Sequence, residues 1–150
     1  MTHSYAINTD TMEKNIVYTL TLPDGVDTLT VEMVAFPEGF EGIVLIPEGV
    51  RVIGNECFMG KPITAVSFPK SLREIGEWAF AGCQLKELRV EGDRGSIKIG
   101  VSAFAYNPDL AVVTLGNCEL GYNIFSGCHV RKLTQTDKCI PPPKRQYPWI

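Results

Sequence analysis

The sequence predicts a mainly β solenoid, a stack of short parallel strands, and three observations carry that prediction. Four segments share an aliphatic-Gly-x-x-small-Phe pattern: Ile53-Gly54-Asn55-Glu56-Cys57-Phe58, Ile75-Gly76-Glu77-Trp78-Ala79-Phe80, Ile99-Gly100-Val101-Ser102-Ala103-Phe104 and Leu120-Gly121-Tyr122-Asn123-Ile124-Phe125. Their phenylalanines lie 22, 24 and 21 residues apart, which is the signature of stacked repeats. Eight or nine residues after each Phe comes an apolar-x-apolar triplet: Val66/Phe68, Leu88/Val90, Val113/Leu115 and the weaker Leu133/Gln135. The 14 glycines and 10 prolines are spread along the chain, so many tight turns and short strands are expected rather than long helices.

The elements follow in chain order. Ile16-Val17-Tyr18-Thr19-Leu20-Thr21-Leu22, a Pro23-Asp24-Gly25 turn and Thr28-Leu29-Thr30-Val31-Glu32-Met33 alternate as the two arms of a β-hairpin. Residues 1–42 are therefore expected to form an N-terminal tail and β-hairpin cap, since a solenoid must cover its first open edge. The solenoid proper is expected over 43–135, in about four repeats. Val44/Ile46-Pro47 opens it as one further copy, and Ile46-Pro47-Glu48-Gly49-Val50 matches Phe68-Pro69-Lys70-Ser71-Leu72 position by position.

Within each triplet the apolar residues alternate, so one face of the strand is buried and the other is free. Pro47 and Pro69 end the strand because they cannot donate to a ladder. A second short segment turns an aliphatic pair inward, and Gly54, Gly76, Gly100 and Gly121 are expected to let the backbone turn sharply without a Cβ clash. One repeat cannot bury its own apolar face, but stacked copies align Phe58, Phe80, Phe104 and Phe125 into one core. Glu91-Gly92-Asp93-Arg94-Gly95-Ser96 is a two-residue expansion and reads as a bulging loop. Residues 136–150 are expected to form a Pro-rich C-terminal cap or tail, in which Ile140-Pro141-Pro142-Pro143 is extended and ends the fold.

The motif Ile-Pro-x-x-Val-x-x-Ile-Gly-x-x-Ala-Phe-x-Gly-Cys-x-x-Leu, best matched by residues 68 to 85, resembles the BspA-like leucine-rich repeats. The resemblance covers about residues 43 to 135. It implies a right-handed leucine-rich-repeat solenoid with a parallel sheet on its concave face. It also implies a bacterial protein, many such relatives being surface proteins that bind host or extracellular proteins.

Several function classes are disfavoured. Net charge is −3 and no basic run exceeds the pairs Arg131-Lys132 and Lys144-Arg145, so the clustered basic footprint of a nucleic-acid binder is missing. The longest apolar stretches are about four residues, far from the roughly 20 of a membrane span. There is no G-x-S-x-G, Walker loop or H-E-x-x-H, so no enzyme activity and no cofactor are expected. The start Met1-Thr2-His3-Ser4-Tyr5 has no cationic or apolar leader, which reads as cytoplasmic for the chain as written, or as secreted or surface-borne if a signal peptide was removed.

The five cysteines, spaced by 26, 35, 10 and 11 residues, contain no C-x-x-C pair, so no metal site is expected. Cys83 and Cys128 hold the same repeat position with Asn107 between them, two rungs and thus about 10 Å apart, beyond disulfide reach. Cys57 stands where Ala79 and Ala103 stand, Cys118 replaces the aliphatic of Val50/Leu72, and only Cys139 stands outside the repeat. Reduced, mostly buried thiols fit a reducing compartment. A Cys–His catalytic pair would need His3 or His129, and His129 directly follows Cys128, where neighbours on a strand or turn point apart. Trp78 shares a variable slot with Glu56, Ser102 and Asn123 and is expected to face outward; Trp149 is a second candidate ligand platform.

The outward row of the triplets is Ile43/Leu45, Ala65/Ser67, Glu87/Arg89, Val112/Thr114 and Lys132/Thr134. A protein-binding module is expected to use it, through Ser67, Glu87, Arg89, Thr114 and Lys132. The alternative is a structural module that associates with itself through its terminal strands.

Overall fold

The computed structural model describes residues 3–8, 15–20, 24–92 and 94–144. The chain begins with β1 (His3–Asn8) and β2 (Asn15–Leu20), then winds through β3 (Thr28–Leu29), β4 (Gly42–Leu45), β5 (Val52–Ile53), β6 (Ile63–Ser67) and β7 (Glu74–Ile75). It continues through β8 (Glu87–Glu91), β9 (Ile97–Ile99), β10 (Val112–Gly116), β11 (Cys118–Leu120) and β12 (Lys132–Gln135). From β2 onward successive strands alternate between two faces. One face carries the ladder β2-β4-β6 and, beyond a break, β8-β10-β12. The other carries β3-β5-β7-β9-β11 as one five-stranded ladder. All of these pairings are parallel. Among the described residues there is no α-helix, and the fold is a β-solenoid as the repeat period requires.

The core lies between the two faces. Val44, Leu88, Val90, Val113 and Leu115 point in from the first face and Ile53, Ile75 and Ile99 from the second. The phenylalanines fill the space between them. Phe58 and Phe80 stack at 4.9 Å between ring centroids, Phe80 and Phe104 at 5.4 Å, and Phe104 and Phe125 at 6.2 Å. Each fully buried ring contributes about 1.5–3 kcal/mol from burial, with a further increment from ring packing. The column runs further than the repeat motif does: Phe36 and Phe40 stack at 4.8 Å beneath it, and Tyr18 packs edge-on against Phe36.

The expected N-terminal hairpin is corrected. Its two arms do not pair with each other. β2 pairs antiparallel with β1 and parallel with β4, whereas β3 crosses to the other face and pairs parallel with β5. The second arm is also shorter than expected, because Val31–Met33 is a 3-10 turn. Asp24-Gly25 does turn, with Gly25 at φ 81°, but the turn carries the chain to the opposite face. β2 and β3 therefore belong to one more turn of the solenoid.

The repeat glycines do spare a Cβ clash as expected, but not at a left-handed turn. Gly54, Gly76, Gly100 and Gly121 have no left-handed φ; what they supply is close approach. A Cβ at Gly76 would stand 2.6 Å from the backbone nitrogen of Asn55, at Gly100 2.7 Å from that of Glu77, and at Gly121 2.7 Å from the Ile99 carbonyl oxygen. Within the motif the left-handed backbone falls instead at the variable slot, at Glu56, Trp78, Ser102 and Asn123, with φ 57–59°.

Candidate functional site

The first face positions the candidate site. Parallel pairing puts Glu87, Val112 and Lys132 on one rung row and Arg89, Thr114 and Thr134 on the next. Along β8 burial alternates strictly: Glu87, Arg89 and Glu91 are exposed while Leu88 and Val90 are buried. Ser67 pairs with Leu45 on the other side of the break, in the ladder β4-β6. The two ladders stay adjacent there through Gln84 N–H to the Ile63 carbonyl at 3.0 Å and Lys86 N–H to the Thr64 carbonyl at 3.3 Å. Beyond those bonds the ladders part into a cleft of about 230 Å³, lined by Val66, Ser67, Phe68, Pro69, Arg89 and Glu91.

The structure thus brings Arg89 beside both Thr114 and the Ser67 cleft. Glu87 and Lys132 share a row with Val112 between them. Ser67, Glu87, Arg89 and Lys132 are exposed and Thr114 is half-buried. Ile43 and Leu45 are half-buried, because β2 pairs directly alongside them. Glu91 was not among the expected residues. It lies 3.6 Å from Arg89 through their charged groups and borders a second hollow, of about 380 Å³, with Gly116, Asn117, Thr136, Asp137 and Lys138. Reading each strand as a three-residue triplet stopped at Val90, one residue short.

The interior of each turn is held by a polar ladder. Cys83 Sγ donates to the Phe58 carbonyl at 3.2 Å, Asn107 Nδ2 to the Phe80 carbonyl at 3.0 Å, and Cys128 Sγ to the Phe104 carbonyl at 3.2 Å. The shared repeat position of Cys83, Asn107 and Cys128 is therefore a shared structural task. Asn107, fully buried, also donates to Phe104 and accepts from Leu85 N–H. Burial pushes the Cys57 and Cys83 thiols up to about 12. His129 Nδ1 lies 3.1 Å from the Pro108 carbonyl oxygen, on the exposed side, while Cys128 turns its sulfur to Phe104. His3 and Trp149 as side chains lie outside the described residues.

Cys139 is corrected from its expected place outside the repeat. The chain rejoins the second face at Ile140, which bridges to Glu119, and Cys139 packs inward behind Cys118. Pro141-Pro142-Pro143 follows this last rung, with Tyr122 OH donating to the Pro143 carbonyl. Trp78 is half-buried and stacks at 6.1 Å on the exposed Tyr106, so one face of its ring is covered at the surface.

Among the described residues no group of three or more His, Cys, Asp or Glu side chains could hold a metal ion, and no helix is long and apolar enough to cross a membrane.

The fold is similar to that of two solved structures. A leucine-rich repeat protein from Bacteroides ovatus matches with a TM-score of 0.51 and 22% identity, over 81% of this chain and 38% of that one. The pneumococcal vaccine antigen PcpA matches with a TM-score of 0.52 and 16% identity, over 89% of this chain and 48% of that one. The chain spans less than half the length of either. Comparison with curated proteins finds no match. The model of the BspA type leucine rich repeat region matches residues 31–141 in six copies, reaching past both ends of the 43–135 stretch in which the repeat is plainest. With the alternating strands, the stacked phenylalanines and this match across most of its length, the chain belongs to the BspA-type leucine-rich repeat family.

Proposed function

We propose that this chain is a non-catalytic protein-binding module that holds its partner on the concave face of the solenoid, through Ser67, Glu87, Arg89, Thr114 and Lys132. The observation that carries this reading is the free side of β8, β10 and β12. Its side chains contribute little to the core, yet they stand in register rows of mixed charge and hydroxyl character beside an open cleft. A repetitive, rigid face of this kind matches an extended protein surface residue by residue, which is how curved solenoids engage partners. Arg89 has the character of an interface anchor: its exposed guanidinium sits between a hydroxyl row and a carboxylate, able to bond a partner carboxylate bidentately.

The test is capture with matched baits. Wild type, Arg89→Glu and Lys98→Glu are presented in parallel to lysate and to extracellular matrix proteins. Lys98 is exposed on β9, on the opposite face. A protein retained by wild type and Lys98→Glu but lost with Arg89→Glu supports the reading. Equal retention by all three removes this face from consideration.

A second reading has its own observation. All four residues of β12 are exposed, Leu133 is 50% exposed and Ile140 57%, so among the described residues the last rung presents an open, partly apolar edge. A structural module could stack through that edge onto a second copy. Light scattering over a wide concentration range separates the two: constant monomer mass favours the binding module, and reversible growth in mass favours self-association.

A further inference from the structure

We propose that Cys118 and Cys139 form a redox-responsive disulfide site, closing across the last two rungs and locking the C-terminal end of the solenoid. The placement comes from the backbone. Leu120 N–H donates to the Ile140 carbonyl at 2.8 Å and Ile140 N–H donates to the Cys118 carbonyl at 2.8 Å. With Ile140 bridged to Glu119, Cys139 stands beside Cys118 on the neighbouring strand. The sulfurs repeat the same contact one rung apart. Cys118 Sγ donates to Val90 at 3.5 Å and Gly116 at 3.3 Å, and Cys139 Sγ donates to Leu115, the register partner of Val90, at 3.2 Å.

Neighbouring strands run about 4.8 Å apart, inside the roughly 4.4–6.8 Å that disulfides span between Cα atoms. Closure needs the Cβ atoms to come from about the 4.8 Å strand spacing to the roughly 3.5–4.5 Å of a disulfide, and among the described residues nothing stacks beyond the terminal rung to oppose that shift. The other thiols are placed elsewhere: Cys57 and Cys83 lie in earlier turns, and Cys128 faces Phe104. Burial raises the Cys118 thiol to about 12, with further contributions from the charge of Cys139 and a hydrogen bond between the two side chains.

Accessibility assigns the order of events. Cys118 is fully buried and Cys139 partly exposed, so a low-molecular-weight disulfide meets Cys139 first. The Cys139 thiolate attacks one sulfur of glutathione disulfide, forming a mixed disulfide and releasing one glutathione thiolate. Cys118, giving up its proton, attacks the Cys139 sulfur and releases the second glutathione. The protein loses two electrons and two protons, and glutathione disulfide becomes two glutathiones.

The native chain, equilibrated with glutathione and its disulfide and then acid-quenched, unfolded, alkylated and peptide-mapped, should yield Cys118 joined to Cys139. Cys57, Cys83 and Cys128 should be alkylated. In Cys118→Ser the second step is lost, so Cys139 should accumulate as the glutathione adduct; in Cys139→Ser, Cys118 should stay unmodified. Alkylation of both Cys118 and Cys139 in the native chain under oxidising conditions overturns the proposal. So does a link from either to Cys128 or to a second chain.

Discussion

At the scale of single residues, two kinds of side chain hold the solenoid to one register. Asn107 satisfies four backbone groups from a fully buried position: it accepts from Leu85 and donates to Phe80, Phe104 and Ala105. Among the described residues no buried side-chain nitrogen or oxygen lacks a partner. Asn107→Ala removes the partner of Leu85 N–H and of the Phe80 carbonyl, while the Phe104 and Ala105 carbonyls keep bonds from Cys128 Sγ and Gly82 N–H. It should cost about 2–4 kcal/mol in urea unfolding. Asn107→Cys should recover part of the loss, since Cys83 and Cys128 fill the same position with one such bond each. Gly100→Ala should cost about 1–3 kcal/mol because its methyl meets backbone rather than a movable side chain. The buried thiols set a pH limit. Cys57 and Cys83 titrate at about 12 folded against an ordinary value of 9.0, so the folded state holds its protons longer. Their stabilisation is whole below pH 9 and is lost as pH rises from 9 toward 12, at up to about 1.4 kcal/mol per pH unit for each thiol. Urea midpoints should fall over that range, and a Cys57→Ala/Cys83→Ala variant should show a shallower fall.

At the scale of elements, the repeat was legible and its ends were not. The apolar-x-apolar triplets became β6, β8, β10 and β12, and the phenylalanines became one stacked column, because period and alternation report directly on which side chains must meet. The N-terminal arms were misread because local alternation and a Pro-Asp-Gly turn describe a hairpin and a solenoid turn equally well. What decides is the partner. Tyr18 gains a buried neighbour, Val44, in β4, and Leu29 precedes Ile53 by 24 residues, the spacing of Phe80 to Phe104. That phase was present in the sequence but unmarked by an Ile-Gly. Burial also varies between equivalent elements. Val113 in β10 is fully buried, whereas Leu133, its register partner in β12, is half exposed. Val113→Thr should therefore destabilise by about 1–3 kcal/mol, and Leu133→Thr by less than about 0.5 kcal/mol, both read from urea midpoints.

At the scale of the whole molecule, the two faces differ in what they leave free. The five-stranded ladder and the phenylalanine column supply continuity from turn to turn, and the free side of the other face is where we propose that recognition takes place. Its rows were readable from alternation alone, since Glu87 and Arg89 alternate with Leu88 and Val90. The break between β6 and β8, the cleft it opens and the place of Glu91 beside Arg89 depend on how two ladders part, which no local pattern encodes. The most direct measurement of the central claim is the affinity of a captured partner for wild type, Arg89→Glu and Lys98→Glu, at one salt concentration. Binding on the concave face predicts at least about fivefold weaker affinity for Arg89→Glu with Lys98→Glu unchanged; equal affinity for wild type and Arg89→Glu would contradict it.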